Sequence, residues 1–134
     1  YVRPKVLELN AARAVVRVPL SWRTKNHLNS MYFGALAVGA DLACGLIGMF
    51  HIEAADRPVS LVFKDIQGDF LRRPTGHVLF TCDDGKAIAE GVAQTLASGE
   101  RVNIPCAIRA TVAGNDDSVA TFRMTLSLRA KNNS

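Results

Sequence analysis

Residues 31–51 read MYFGALAVGADLACGLIGMFH, and the reading of this run decides the fold. Asp41 is the one acid in its body, set near the middle among small and apolar neighbours. From Met31 to Ile52 the run is long enough to cross a bilayer. A carboxylate at the bilayer centre would cost roughly 3 kcal/mol, however. The run is also rich in Gly and Ala rather than Leu and Ile, and the chain beyond it reads as strands in need of a partner. The run is therefore expected to be a buried helix of a soluble protein, with Ser30 suited to its N-cap.

A helical wheel supports this. Phe33, Leu36, Ala40, Ala43, Ile47 and Phe50 fall at three- and four-residue steps and form one apolar stripe. A second face holds Gly34, Ala37, Asp41, Cys44, Gly45 and Gly48, nearly all small. Several of these cost helix propensity, so close approach of another backbone or a ligand is expected there. Asp41 lies on that face.

Outward from the helix, Ala14 to Pro19 (AVVRVP) is a short β-branched run and a predicted strand. VSLVFKDIQGDFL, after Pro58, reads as a long strand, RRPTG as a turn and HVLFTCD as a second strand. KAIAEGVAQTLASG reads as a short helix with an Asp for its N-cap and Gly99 at its C-terminal end. RVNIPCAIRATVA and SVATFRMTLSLRA are two more strands, joined by a GNDD turn. Strands joined mostly by turns make a largely antiparallel sheet. The expected fold is α+β: about five strands wrapped around one long helix, with one short extra helix.

The chain has 134 residues, which suits a single domain over residues 1–134. A composition of 49% hydrophobic and 21% charged residues is ordinary for a soluble globular protein. A net charge of +4 mildly favours anionic partners. The basic residues are scattered, which argues against nucleic-acid binding. Cys44, Cys82 and Cys106 are far apart, odd in number and without CxxC spacing, which fits free thiols in a reducing cytoplasm. His27, His51 and His77 lack metal-ligand spacing, and neither a phosphate loop nor a GxSxG elbow occurs. The chain starts at Tyr1, suggesting a trimmed or processed end, and nothing near it resembles a signal peptide.

The segment NHLNSMYFGALAVGADLA is similar to the helix-entry motif of hotdog-fold acyl-CoA thioesterases of the phenylacetate-pathway type. In that motif an Asn precedes a His-Gly-Gly entry, and an acid stands nine residues after the His. Here Asn26 stands at the Asn, Tyr32-Phe33-Gly34 at the His-Gly-Gly, and Asp41 nine past Tyr32. GDFLRRPTG resembles the next strand and turn of that family, and DDGKAIAEGVAQTLASGERVN resembles an uncharacterised hotdog branch grouped with the thioesterases. The likeness runs from about Arg13 onward. Tyr32 and Phe33 depart from the motif's His and first Gly.

The resemblance implies hydrolysis of acyl-CoA or acyl-carrier thioesters with no cofactor, the CoA thioester being the substrate. It gives Asp41 the role of nucleophile or general base and Asn26 that of positioning water or the carbonyl. The Phe33 and Gly34 amides would polarise the carbonyl. A helix start carries about half a positive charge and free N–H donors, and one such donor is worth on the order of 3 kcal/mol in an oxyanion hole. Residues 33 and 41 stand about 12 Å apart along one helix, so the same carbonyl needs the acid of one subunit and the donor of another. A homodimer or dimer of dimers is therefore expected, in the cytoplasm, without membrane or metal. Tyr32 is assigned to packing or gating at the substrate, and Arg72 and Arg73 to the CoA path, where Arg suits phosphates.

Blander alternatives stand beside these. Asp41 can be a structural carboxylate, Asn26 a turn residue and Arg72-Arg73 a solvated pair. Arg101 and Asn103 are weaker site candidates. A non-catalytic hotdog protein that binds an acyl chain or acyl-CoA is the rival function, and a dehydratase is a distant third because no His stands at the helix entry. A Cys44–His51–Asp41 nucleophile is excluded by geometry, since Asp41 and His51 lie about 15 Å apart along one helix.

Overall fold

The computed structural model describes residues 3–20, 33–114 and 117–131. Period-two burial fixes which face of the sheet is the core face. In β5 (Val102–Val112), Ile104, Cys106, Ile108 and Ala110 are buried, while Asn103, Pro105, Ala107 and Arg109 are exposed. In β6 (Ser118–Ala130), Ala120, Phe122, Met124, Leu126 and Leu128 are buried, with Arg123 and Arg129 turned to solvent. β2 (Ala14–Val18) and β4 (Val78–Cys82) add Val16, Val18, Val78 and Phe80 to the same face. Two strands complete the sheet, β1 (Lys5–Leu9) and β3 (Val59–Phe70).

The order across the sheet is β1-β2-β4-β5-β6-β3, and every neighbouring pair is antiparallel. β3 thus leaves its sequence neighbour β4 and pairs with β6 at the far edge. Two helices pack on the core face, α1 (Phe33–Glu53) and α2 (Gly85–Ser98). This is the α+β architecture expected from sequence, with six strands rather than about five. The added strand is β1, whose five residues are all exposed.

Along α1, Leu36, Ala40, Ala43 and Ile47 of the expected stripe are buried, together with Ala35 and Cys44. Phe50 is 39% exposed and meets His51 edge-on, ring centroids 5.3 Å apart. The stripe therefore runs out before the helix does. By length and apolarity α1 could cross a bilayer, yet it is the central helix of this core. Gly39 lets it lie close to the sheet, because a β-carbon there would stand 2.3 Å from the Phe80 ring.

α2 ends as its sequence predicts: Gly99 adopts φ 72°, and its N–H donates to the Thr95 carbonyl at 2.8 Å. Its N-cap, Asp84, makes no capping bond with its side chain. The carboxylate instead accepts the Ala107 N–H at 2.7 Å. The reason lies in the register. β4 stops at Cys82, opposite Ile108, so β5 loses its neighbour there. Asp84 satisfies one exposed donor, and Pro105, two residues back, has no N–H to satisfy.

Candidate functional site

β3 runs antiparallel to α1 along the small-residue face. A methyl group on Gly48 would stand 2.5 Å from Leu61 Cδ1, and one on Gly45 would stand 3.7 Å from the end of the Phe63 ring. Side chains of β3 thus use this half of the face as sockets. Beyond Gly45 the two elements separate, and a groove of about 500 Å³ opens. Ala37, Val38 and Asp41 line it from α1, Phe63 to Ile66 from β3, and Met124 from β6.

A β-bulge shapes that wall. Phe63 pairs with Leu126 and Ile66 with Met124, both inward-facing partners, and the ladder slips between Phe63 and Asp65. Strict alternation would turn Ile66 outward. The extra residue restores it to the groove side and leaves Lys64 at the rim, as bulges beside functional sites commonly re-aim side chains.

Asp41 is exposed to the groove. Partial burial pushes its carboxyl above the ordinary value of 3.8, because the charged form loses hydration. Among the described residues no hydrogen bond or ion pair holds the carboxylate.

Phe33 and Gly34 occupy the first turn of α1, and Asn26 and Tyr32 lie outside the described residues. Arg72 and Arg73 come after β3, at the end directed toward the start of α1. Both are exposed, and Arg72 is paired with Asp117 at 3.0 Å. Arg101 donates to Ser127 Oγ at 2.9 Å, and neither it nor Asn103 lines the groove. His51 Nε2 bonds the Ala11 carbonyl oxygen at 2.8 Å, which commits that ring nitrogen away from Asp41.

The three cysteines, remote in sequence, come together in the core. Contacts with the Cys106 and Cys82 thiols, and then burial, push the Cys44 thiol up. A neutral buried thiol of this kind is packing rather than a nucleophile. Among the described residues no group of three or more His, Cys, Asp or Glu is arranged to hold a metal ion. Sequence reasoning missed Phe63, Ile66 and Met124 as walls of the groove. The bulge that aligns them has no composition signal beyond a polar pair, Lys64-Asp65, inside an apolar strand.

No curated protein matches the sequence. Solved structures superpose closely. A Pseudomonas aeruginosa protein of unknown function described as a probable thioesterase is 22% identical, with 96% of this chain and 83% of that chain covered at a TM-score of 0.83. A Chlorobaculum tepidum protein of unknown function is 12% identical, with coverages of 97% and 84% and a TM-score of 0.83. A mutant of a P. aeruginosa thioesterase is 15% identical, with coverages of 96% and 82% and a TM-score of 0.67. These likenesses show the fold, the hotdog arrangement expected from sequence. A family model described as a domain of unknown function, DUF4442, matches residues 1–128, and the chain belongs to that family.

Proposed function

We propose that the protein hydrolyses acyl thioesters, carried on CoA or on an acyl carrier, with Asp41 activating the attack. The observation that carries this is the Asp41 carboxylate, unpaired among the described residues, raised in pKa and lining an apolar groove. A base with a raised pKa removes a proton from water more readily near neutral pH. Water then attacks the thioester carbonyl carbon while Asp41 takes its proton. Negative charge collects on the carbonyl oxygen, where backbone N–H donors stabilise it. The C–S bond breaks, the thiolate leaves and takes up the proton, and the carboxylic acid is released. Direct attack by Asp41, through an anhydride that water later opens, uses the same geometry. The names borne by the superposed proteins support the same class of reaction.

In this reading the Phe33 and Gly34 donors come from a second copy, being about 12 Å from Asp41 within one chain. The outer edge of β3 supports a dimer. It faces no strand among the described residues, spans twelve residues, and exposes Ile66 by 50% at the groove and Val62 by 52% on the other face of the sheet. Long apolar edges of this kind invite pairing. Asn26 and Tyr32 would complete the helix entry, and Arg72 and Arg73 would meet the CoA phosphates at the same end. Three unpaired cysteines suit a cytoplasmic setting.

The rival is an acyl- or acyl-CoA-binding protein without hydrolysis, favoured by Tyr32-Phe33 in place of His-Gly. Thioester hydrolysis over a panel of acyl-CoAs, with Asp41→Asn beside the wild type, separates the two. Hydrolysis lost in the variant alone supports the enzyme. Equal inertness with retained ligand binding supports the binding protein.

A further inference from the structure

Among the described residues the groove is bounded at one end by β3 side chains. Toward the C-terminal half of α1, the Phe63 ring lies over Gly45, and Leu61 lies over Gly48 one turn further on. Toward the start of α1 the groove is lined by Ala37 and Val38. A chain laid in it with its reacting carbonyl at Asp41 meets the aromatic ring after one helical turn, about 5.4 Å.

We propose that Phe63 is the end wall of the acyl site, and that its ring over Gly45 restricts the site to short acyl groups. This rests on the thioester reading above. At carbon–carbon bond lengths near 1.5 Å, one turn houses roughly four carbons of an extended chain. Two features single out Phe63. It is the groove-lining side chain that crosses from β3 to α1, and the position it meets is a glycine, so nothing on the helix competes for the space. Its removal would join the groove to the socket at Gly48, where Leu61 forms the next barrier. Lys64 and Asp65 stand at the rim rather than across the path, because the bulge carries them past the inward-facing register.

The test compares wild type, Phe63→Leu and Phe63→Trp over saturated acyl-CoAs from acetyl to dodecanoyl, reading kcat/KM for each. Binding of the corresponding S-alkyl CoA thioethers, which cannot be hydrolysed, is measured in parallel. Phe63→Leu keeps an apolar side chain in the socket, and its melting curve checks the fold. The leucine variant is expected to raise the octanoyl-to-butanoyl ratio, each newly housed methylene adding about fourfold. The tryptophan variant is expected to lower it. An unchanged ratio in folded variants, or an equal loss at every length, overturns the proposal. If no protein hydrolyses any thioester but thioether binding still shifts with chain length, the hydrolase reading fails and the wall stands. If hydrolysis occurs and the profile is unmoved, the wall fails and the hydrolase stands. Absence of both hydrolysis and binding removes the two together.

Discussion

The Asp84 carboxylate reaches across to the Ala107 N–H at 2.7 Å, sealing β5 where its neighbour β4 ends. Burial raises the Asp84 pKa, and the bond from Ala107 opposes that rise. Asp84→Ala removes this bond to an exposed amide, which water then reaches, and is expected to destabilise the fold by about 0.5–1.5 kcal/mol. Asp84→Asn keeps an acceptor and is expected to lose less. Urea unfolding of the two variants checks the order.

Asp41→Asn is expected to raise the melting temperature at neutral pH. The folded-state pKa of Asp41 lies above its unfolded value, so the native carboxyl resists ionisation and stability falls as pH rises through that interval. Replacing it by an amide removes that loss. The gain is expected to vanish once pH falls below the ordinary value of 3.8, where both states hold the proton. Calorimetric scans of both proteins across this range provide the measurement.

The same shift governs the rate. With Asp41 as base, kcat/KM is expected to fall on the acid side with a midpoint above 3.8. A limb at or below that value, in a profile corrected for unfolding, would remove Asp41 from the role.

A second copy joined at β3 is tested by placing a charge on its edge. Ile66→Lys is expected to yield monomers by sedimentation velocity and to abolish hydrolysis, while the far-ultraviolet circular dichroism of the monomer is retained. A monomeric variant with full activity would exclude a shared site.

Gly39→Ala sets helix propensity against packing. The substitution gains up to about 1 kcal/mol in propensity. It also drives a methyl to 2.3 Å from a Phe80 ring that is fully buried. Overpacking of this kind costs typically about 1–3 kcal/mol, so a net loss is expected. Combining it with Phe80→Leu should recover part of that loss, as residues in contact do not add. Denaturant midpoints of the two single variants and the double variant complete the cycle.

The sequence was most legible where one pattern acted alone. The 31–51 run announced α1, Gly99 announced the end of α2, and the two runs either side of the GNDD turn announced β5 and β6. β1 escaped because all five of its residues are exposed, so nothing forced its apolar positions to alternate. Phe50 fits the helical period, yet period reports only a direction around the axis and not how far the covering sheet extends. The groove was half legible. The small face and its acid stand out along the chain, whereas the opposite wall depends on a one-residue slip at Lys64 that pairing with β6 alone reveals. The thiol cluster is tertiary in origin, drawn from α1, β4 and β5.

The order of elements has a consequence for biosynthesis. α1 leaves the ribosome after β2 but before α2, β4 and β5, which also pack on it. For that interval the nascent chain displays a 20-residue segment of mean hydropathy 1.7, long and apolar enough by length and composition to cross a bilayer. The acid near its centre adds roughly 3 kcal/mol to the cost of inserting it. The carboxylate proposed for chemistry in the finished protein thus also raises the cost of bilayer insertion for the unfinished one.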